Sequence, residues 1–374
     1  MRSAPRNSVV LTVLVGATLL VGAAVMALVL LASGAPDALA IGLVLAAIPV
    51  GPVIGCYLWL DRYEPEPRSL LLLALGWGAF VATSGAIFLQ AFDSFAFGPT
   101  EATQSVLVAP VTEEAAKGLF IVLLLLYRRA ELDGILDGIV YAGMVGIGFA
   151  FMENILYLTQ AYVGDDGRTG GIESAVSLFV LRGIGAPFAH PFFTAFTGIG
   201  IGVAVGGRSR LTRVLAPVVG LAFAVGAHAA WNAALLINGG SGAMTAYLLL
   251  MVPAFVVMVS FAIWSRRREG VLLARSLSDC ARRGFLDPGE VPWLTRIPAR
   301  KAARLYAART GGEGALDAMK SYQSEAIELG FLHHRFLRGT APAHYEELGQ
   351  AHVQRMFALR PRLVWPQNLV GARR

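Results

Sequence analysis

A small group of ionisable and amide side chains interrupts the long apolar stretches of this sequence. An ionisable side chain inside a membrane span costs about 2.5–3.5 kcal/mol on insertion scales, so each such residue is a candidate for function. Carboxylates, imidazoles and amides together suit the activation of water, either by a glutamate that accepts its proton or by a metal ion. The residues concerned are Glu113, Glu114, Lys117, Glu153, Asn154, Arg182, His190, His228 and Asn232.

The spacing of these residues places several of them on shared helix faces. Glu113 and Glu114 precede Lys117 by four and three residues, so one helix face can pair both carboxylates with the ammonium group. His228 and Asn232 are also four residues apart. The sequence therefore predicts an acidic pair beside a lysine on one helix, and an imidazole beside an amide on another.

Two chemical arrangements remain open for this group. In the first, His190, His228 and Glu153 bind a zinc ion with an open position for water, and one of the acidic pair is the general base. In the second, a glutamate activates water without a metal. In both, the amide of Asn232 could donate a hydrogen bond to an oxyanion. For one buried histidine, or for Arg182, a structural role is the simpler interpretation; convergence of several such groups favours catalysis.

The composition indicates which elements must position these residues. Of 374 residues, 56% are hydrophobic and 15% are charged, with a mean hydropathy of +0.61. A soluble domain carries about 25% charged residues, so the sequence predicts an all-α, polytopic helical membrane protein. Two cysteines exclude a disulfide framework. Eight apolar runs of about 20 residues or more are candidate spans: 9–31, 38–60, 70–92, 105–127, 134–161, 174–206, 214–237 and 244–264.

The sixth run is longer than a bilayer requires. Its Gly183, Gly185 and Pro187 predict a break in the helix. The glycines at four-residue spacing in its second half predict close helix packing; these are Gly198, Gly202 and Gly206.

The candidate side chains are predicted to lie at one depth. Glu113 and Glu153 are 8 residues, and His228 is 9 residues, from the outer ends of their runs. At 1.5 Å per residue this is about 12–14 Å below the outer surface. The break in the sixth run could bring His190 to the same level. We therefore expect these groups to meet.

The distribution of arginine predicts the orientation. The loops on one side hold 12 arginines and those on the other side hold only Arg168. By the positive-inside rule both termini are cytoplasmic. The twelve are Arg2, Arg6, Arg62, Arg68, Arg128, Arg129, Arg208, Arg210, Arg213, Arg266, Arg267 and Arg268.

The last part of the chain differs in character from the rest. Residues 266–374 hold 19 Lys and Arg against 10 Asp and Glu, whereas residues 1–265 hold 12 against 15. We predict a membrane domain over 1–265 and a small, helical, basic cytoplasmic region over 266–374. This region is expected to lie against anionic lipid rather than to bind nucleic acid. Its adjacent His333 and His334 are expected to be solvated.

The motifs resemble those of the PrsW family of membrane proteases, over roughly residues 40–265. Residues 113–117 (EEAAK) are similar to the E-E-x-x-K motif of that family. Residues 149–154 (FAFMEN), His190 and residues 228–232 (HAAWN) follow in the family's order. Residues 61–67 (DRYEPEP) are similar to its short acidic loop, in which we expect Glu64 and Glu66 to be loop charges. The related CAAX-processing group has E-E-x-x-x-R and a histidine where this chain has Glu153.

The resemblance implies an intramembrane protease, glutamic or metal-dependent, in the plasma membrane of a bacterium. It implies that Glu113 and Glu114 form the acidic pair, with Glu153, His190 and His228 as the other site groups. It also implies a single-span substrate such as an anti-sigma factor, cut on its extracytoplasmic side to start a signalling cascade.

Two other functional classes remain. The first is a proton- or ion-coupled transporter in which the buried Glu, Lys and His residues form a relay. Transporters usually contain internal repeats, and residues 1–132 do not repeat in 133–265. The second is a non-catalytic scaffold, which predicts that Glu113→Gln is harmless and that truncation of the basic region is not.

Overall fold

The computed structural model describes residues 6–32, 34–164, 170–237 and 241–366. Within these ranges the regular elements are helices and there is no strand, which confirms the all-α prediction. Arg2 and Arg168, two of the arginines from which the orientation is predicted, lie outside the described residues. Ten longer helices follow in chain order: α1 Arg6–Ala32, α2 Pro36–Leu60, α3 Arg68–Phe97, α4 Ala109–Tyr127, α5 Ile135–Val163, α6 Ile172–Gly206, α7 Arg210–Leu236, α8 Met244–Arg282, α9 Ile297–Leu337 and α10 Tyr345–Leu359.

Several of these helices have internal irregularities. A turn joins Pro36–Ala47 to Val50–Leu60 in α2. The i→i+5 hydrogen bonds of a π-helix occur in α3, α6 and α8, and shorter helices connect the longer ones. The π segments are Trp77–Ala82, Val180–Gly185 and Tyr247–Met251, with a further one at Gln104–Val108 before α4. The short helices are Glu101–Thr103, Arg129–Glu131, Pro288–Glu290, Val291–Thr295 and Arg360–Arg362, and the segment Ser241–Ala246 overlaps the first residues of α8.

Seven of the helices are long and apolar enough to cross a membrane, namely α1 to α3 and α5 to α8. The remaining predicted span, 105–127, contains α4 and its preceding π segment. It is less apolar because Glu113, Glu114 and Lys117 fall within five residues. Helix α4 packs against α3, α5, α6 and α7. The prediction of a polytopic membrane protein is confirmed.

The break predicted in the sixth run is present in α6. The π segment Val180–Gly185 ends at Ala186, which leaves helical geometry with φ −129° and ψ 44°. The helix resumes over Ala189–Gly206. Pro187 lies in this interruption, where its missing N–H costs no helical hydrogen bond. His190 therefore stands in the first turn of a new helix, and its side chain lies deep in the bundle.

Helix α5 is the most enclosed span, and glycine permits its close contact with α6. A Cβ at Gly198 would lie 2.1 Å from the carbonyl oxygen of Gly138, and one at Gly202 would lie 2.5 Å from that of Gly134. At Gly206 nothing lies within 4 Å of the same position. The glycine pattern thus predicted close packing correctly for two positions and wrongly for Gly206, which lies at the end of α6 beyond the contact.

This packing gives a stability prediction. Gly198→Ala is expected to lower the free energy of unfolding by about 1–3 kcal/mol, because a methyl group there meets backbone rather than a movable side chain. Gly206→Ala, in the same helix, is the matched control and should not destabilise the protein. Thermal unfolding of the detergent-solubilised chain measures both. Equal stability of the two variants would contradict the close contact of α5 and α6.

A buried carboxyl pair lies at the loop between α2 and α3. Asp61 and Glu66 are 7% and 8% exposed, so the expectation that Glu66 is a loop charge is wrong in this respect. Its Oε2 accepts a hydrogen bond from the Tyr141 hydroxyl at 2.6 Å, and its backbone N–H donates to Asp61 Oδ2 at 2.9 Å. Burial raises the pKa of Asp61 to about 7. Burial and the nearby Asp137 raise the pKa of Glu66 well above its ordinary value, although the Tyr141 hydrogen bond opposes this.

These raised values predict how stability depends on pH. A carboxyl group whose pKa is higher in the folded than in the unfolded state favours folding below its unfolded pKa of about 4. For Asp61 this stabilisation is lost as pH rises towards its folded pKa of about 7. Asp61→Asn should therefore unfold at a higher temperature than wild type at pH 8, and at nearly the same temperature at pH 3, below the unfolded pKa. The exposed Asp37→Asn is the control; an identical pH profile for wild type and Asp61→Asn would contradict the prediction.

The described chain divides into two compact units. The first comprises residues up to Asp61 and Glu66–Ala262, and the second comprises Arg62–Pro65 and the chain from Ile263. In the second unit, α9 bends at Gly312, whose φ of +69° is one that other residues rarely adopt. Its core joins α8, α9 and α10 through apolar side chains that include Leu277, Tyr322 and Met356.

The second unit contains one clear departure from the sequence expectation. His333 is 3% exposed rather than solvated. Its Nε2 lies 2.7 Å from Asp279 Oδ2 and its Nδ1 lies 3.2 Å from the Tyr345 hydroxyl. The imidazole is buried because it links α8, α9 and α10, and a pair of adjacent histidines gives no indication of such partners.

Candidate functional site

Lys117 lies at the centre of the polar cluster in the first unit. Its side chain is fully buried, and its Nζ lies 2.7 Å from Glu114 Oε1, 3.4 Å from Glu113 Oε2 and 2.9 Å from His190 Nδ1. The same ammonium group lies 3.8 Å from the centre of the Phe149 ring, within the range of a cation–π contact. Lys117 thus links the acidic pair of α4 to His190 of α6. Its contacts with both carboxylates were predicted from the spacing of the motif.

The two carboxylates of the acidic pair have different surroundings. Glu114 is fully buried, and besides Lys117 it accepts a hydrogen bond from Thr194 Oγ1 at 3.0 Å and lies 3.1 Å from His228 Nδ1. Glu113 is 6% exposed and its contacts are longer: 3.4 Å to Gln90 Nε2 and 3.9 Å to His228 Nε2. Glu114 is therefore fixed in place by strong partners, whereas Glu113 retains the capacity to bind a further group.

The hydrogen bonds determine which nitrogen of each histidine carries its proton. A lysine ammonium group can only donate, so His190 Nδ1 accepts from Lys117 and Nε2 donates to Glu153 Oε2 at 2.7 Å. His228 Nδ1 donates to Glu114 Oε1 at 3.1 Å, and its Nε2 lies 3.9 Å from Glu113 Oε2. The two rings lie 5.3 Å apart, and Phe193 stacks on His228 at 4.8 Å. Each imidazole is thus oriented by a carboxylate at one nitrogen.

Glu153 is held by groups other than the acidic pair. Its Oε2 forms an ion pair with Arg182, and Arg182 Nε also donates to Asn154 Oδ1 at 2.8 Å. The π segment of α6 carries Arg182 to this position. From the sequence, a structural role was expected for Arg182, and no connection with Glu153 was predicted. Its position as an arginine inside an apolar run was the available signal.

One group of described residues could hold a metal ion. Glu113, His190 and His228 are all buried, and one potential ligand atom from each lies within 4.8 Å of the others. The predicted ligand set contained Glu153 in place of Glu113. The sets differ because Glu153 contacts Arg182 and the Nε2 of His190, whereas Glu113 Oε2 lies near His228 Nε2.

The chemistry of these donors fits a divalent cation. Two histidines and one glutamate form a known catalytic zinc set. Histidine ligands normally donate their second nitrogen to a carboxylate, as His190 does to Glu153 and His228 to Glu114. With neutral imidazoles, Glu113, Glu114, Glu153, Lys117 and Arg182 carry a net charge of −1, which admits a cation. Binding would require Lys117 Nζ to release His190 Nδ1.

Two amide side chains, one predicted for the site and one not, lie near the cluster. Asn232, predicted as an oxyanion donor, donates its Nδ2 hydrogen to the backbone carbonyl of Ser105 at 2.9 Å. The structure therefore places that amide against the π segment before α4 rather than against the carboxylates. Gln90, which sequence reasoning missed, contacts both Glu113 and Thr112 from α3. An isolated glutamine in an apolar run was the signal that could have identified it.

The chain is similar to a known group of membrane proteases. A family model described as "PrsW family intramembrane metalloprotease" matches residues 66–258, just over half of the chain. Protease PrsW of Geobacillus kaustophilus is 29% identical over 163 residues, which cover 43% of this chain and 66% of that protein. Protease PrsW of Bacillus subtilis is 32% identical over 114 residues, covering 30% and 52%.

A third relative is covered more completely. Protease PrsW of Shouchella clausii is 26% identical over 229 residues, which cover 61% of this chain and 97% of that protein. The matches thus cover just under two thirds of the first relative, about half of the second and nearly the whole of the third. No solved structure matches it significantly. The family match includes α4, α5, α6 and α7, which carry the cluster.

Proposed function

The chain belongs to the PrsW family of intramembrane metalloproteases, and from this premise we propose that it hydrolyses a peptide bond of a membrane-anchored protein. One observation carries the proposal: Glu113, His190 and His228 converge, and a second carboxylate orients each imidazole. A site that activates water in an apolar bundle requires this kind of fixed, buried donor set. The family match does not favour the alternative of an ion-coupled transporter.

We assign each residue a task from its contacts. Glu113, His190 and His228 would hold a metal ion, such as zinc, which when bound supplies activation of water and polarisation of the scissile carbonyl. Glu114 and Glu153 fix the two imidazoles, and Lys117 offsets the charge of the acidic pair. If no metal is used, Glu113 is the carboxylate placed to accept the proton of water, because its contacts are the longest. Removal of metal distinguishes these two assignments.

The proposal also covers the kind of substrate and the orientation of the chain in the membrane. The predicted depth of the cluster below the outer surface favours a substrate bond on the extracytoplasmic side. A single-span protein of the anti-sigma type meets this requirement. The arginine distribution supports cytoplasmic termini. Membership of a family whose listed relatives are bacterial proteins supports location in a bacterial plasma membrane.

Proteolysis by the purified chain in liposomes tests the proposal. Wild type, His228→Ala and the control His344→Ala, which changes an exposed histidine of the second unit, are incubated with a set of single-span proteins. We expect wild type and His344→Ala to cleave the same substrate at the same bond, and His228→Ala to be inactive although folded. Cleavage by folded His228→Ala at the wild-type rate would refute the site. Proton flux in the same liposomes without cleavage would favour the transporter.

Arg182 gives a further prediction within this proposal. Arg182→Gln is expected to lower kcat and metal affinity together by about 10–100-fold, the usual effect of losing a group that orients a ligand. The cause is that Glu153 then no longer fixes His190. Arg182→Lys should recover part of both losses, and the exposed Arg210→Gln is the control. Lower stability with unchanged kcat and metal affinity would indicate a structural role only.

A further inference from the structure

The second unit contains a cleft of about 1490 Å³. It is lined by the final part of α8, by the residues around the start of α9 and by the end of α9. All of its lining residues belong to the second unit, so it is separate from the polar cluster of the first. Neither the family match nor the proposed protease activity assigns it a role.

The cleft is strongly basic. Six arginines line it against a single acidic residue, Asp279. The carboxylate of Asp279 is already shared by Arg282 at 2.7 Å, Arg283 at 2.9 Å and His333 at 2.7 Å. Its charge therefore does not neutralise the other arginines, and guanidinium groups favour phosphate because their planar N–H groups match its oxygens. The six are Arg267, Arg275, Arg282, Arg283, Arg296 and Arg338.

Apolar residues share the cleft with these arginines. Val271, Ile297 and Leu337 are among its lining side chains. Arg267 belongs to a run of three arginines that begins two residues after Trp264, at the end of the last apolar run of the chain. Arg275 follows by eight residues, or about 12 Å along a helix. A ligand with an anionic head and an apolar body, located at a membrane surface, fits this combination.

We propose that this cleft binds the phosphate of an anionic phospholipid headgroup. The observations favour this ligand over single-stranded nucleic acid, which binds through aromatic side chains that stack on bases. Tyr63 lines the cleft, but Arg266 and Arg300 already lie near its ring, at 5.2 and 5.7 Å from the centre. The same phosphate chemistry is offered by soluble anions, so the experiment includes them.

The test uses the full chain in an uncharged detergent. Short-chain phosphatidylglycerol is titrated and binding is measured by native mass spectrometry, with the diacylglycerol of the same chain length as the phosphate-free comparison. The cleft variant is Arg267→Gln/Arg275→Gln/Arg296→Gln. The control variant, Arg309→Gln/Lys320→Gln/Arg362→Gln, removes the same charge from exposed positions outside the cleft. All six positions are exposed, and circular dichroism verifies that both variants fold.

We expect phosphatidylglycerol to bind wild type and the control equally and the cleft variant at least about tenfold more weakly. Equal weakening in both variants would overturn the proposal, because it would indicate diffuse surface charge. Equal binding of diacylglycerol would overturn it as well. Pyrophosphate that binds as tightly as the lipid would retain the anion site but refute a lipid as its ligand. Tighter binding of a short oligonucleotide would refute the lipid in favour of nucleic acid.

Discussion

Replacing Glu113 by glutamine is expected to lower kcat for peptide-bond cleavage by about 10²–10⁴-fold, the usual contribution of a group that transfers or controls the proton of water. Glu113 is the member of the acidic pair with the longer contacts, and its Oε2 lies 3.9 Å from His228 Nε2. Glutamine keeps the size of the side chain but loses the charge needed to bind a metal or accept a proton. The same change therefore impairs both mechanisms considered for this site.

The control for this prediction is another glutamate that lies close to Glu113 in the chain. Glu101→Gln changes an exposed carboxylate before α4 and should leave kcat unchanged. The substrate KM should change little for Glu113→Gln if Glu113 acts on the reacting atoms rather than on binding. Substrate cleavage at varied concentration measures both constants. A folded Glu113→Gln protein with wild-type kcat would show that the reaction occurs elsewhere.

Replacing Lys117 by methionine is expected to lower the free energy of unfolding by about 3–5 kcal/mol, because it leaves buried carboxylates without their cation. Lys117 is fully buried and contacts Glu113, Glu114 and His190. Methionine has a similar length, and its thioether makes favourable contacts with an aromatic ring such as that of Phe149, over which Lys117 Nζ lies. The loss is therefore electrostatic rather than a cavity effect.

A double variant separates this effect from general misfolding. Glu114→Gln/Lys117→Met removes the carboxylate that lies 2.7 Å from the ammonium group together with the ammonium group itself. Its unfolding temperature should lie above that of Lys117→Met alone, while cleavage remains absent. A double-mutant cycle from thermal unfolding measures the coupling of the two residues. Additive losses of stability would contradict a direct ion pair between them.

The sequence was sufficient for those features that depend on one helix at a time. Apolar runs identified the spans because a bilayer requires about 20 apolar residues. The spacing of residues 113–117 predicted correctly that both carboxylates contact Lys117, since helical geometry fixes that relation. The break in α6 followed from Gly183, Gly185 and Pro187, and a π segment ends there.

Contacts between helices were less predictable. Glu113 and Glu153 lie at similar distances from the ends of their runs, so depth alone could not decide which one faces both histidines. The choice depends on how each helix is rotated about its axis, and Arg182 decides it by holding Glu153. Similarly, Asn232 shares a helix face with His228 but reaches the backbone of Ser105, a partner 127 residues away in the chain.

Buried polar groups in loops and in the second unit were missed for the same reason. Glu66 lies among prolines and charges that are typical of an exposed loop, yet Tyr141 of α5 covers it. His333 is buried because Asp279 and Tyr345 supply partners from other helices. In both cases the residue types indicate exposure, and only a tertiary contact reverses that expectation.

The relation between bound metal and cleavage tests the central claim most directly. The wild-type chain is stripped of metal, zinc is returned in steps, and metal per chain and cleavage rate are measured on the same samples. We predict that cleavage rises in proportion to bound zinc and saturates at about one ion per chain, as expected for a single catalytic site with one open position. Glu113→Gln and His228→Ala should lose both the ion and the cleavage. Full cleavage by metal-free protein, or by both variants, would contradict a metal-dependent protease site formed by Glu113, His190 and His228.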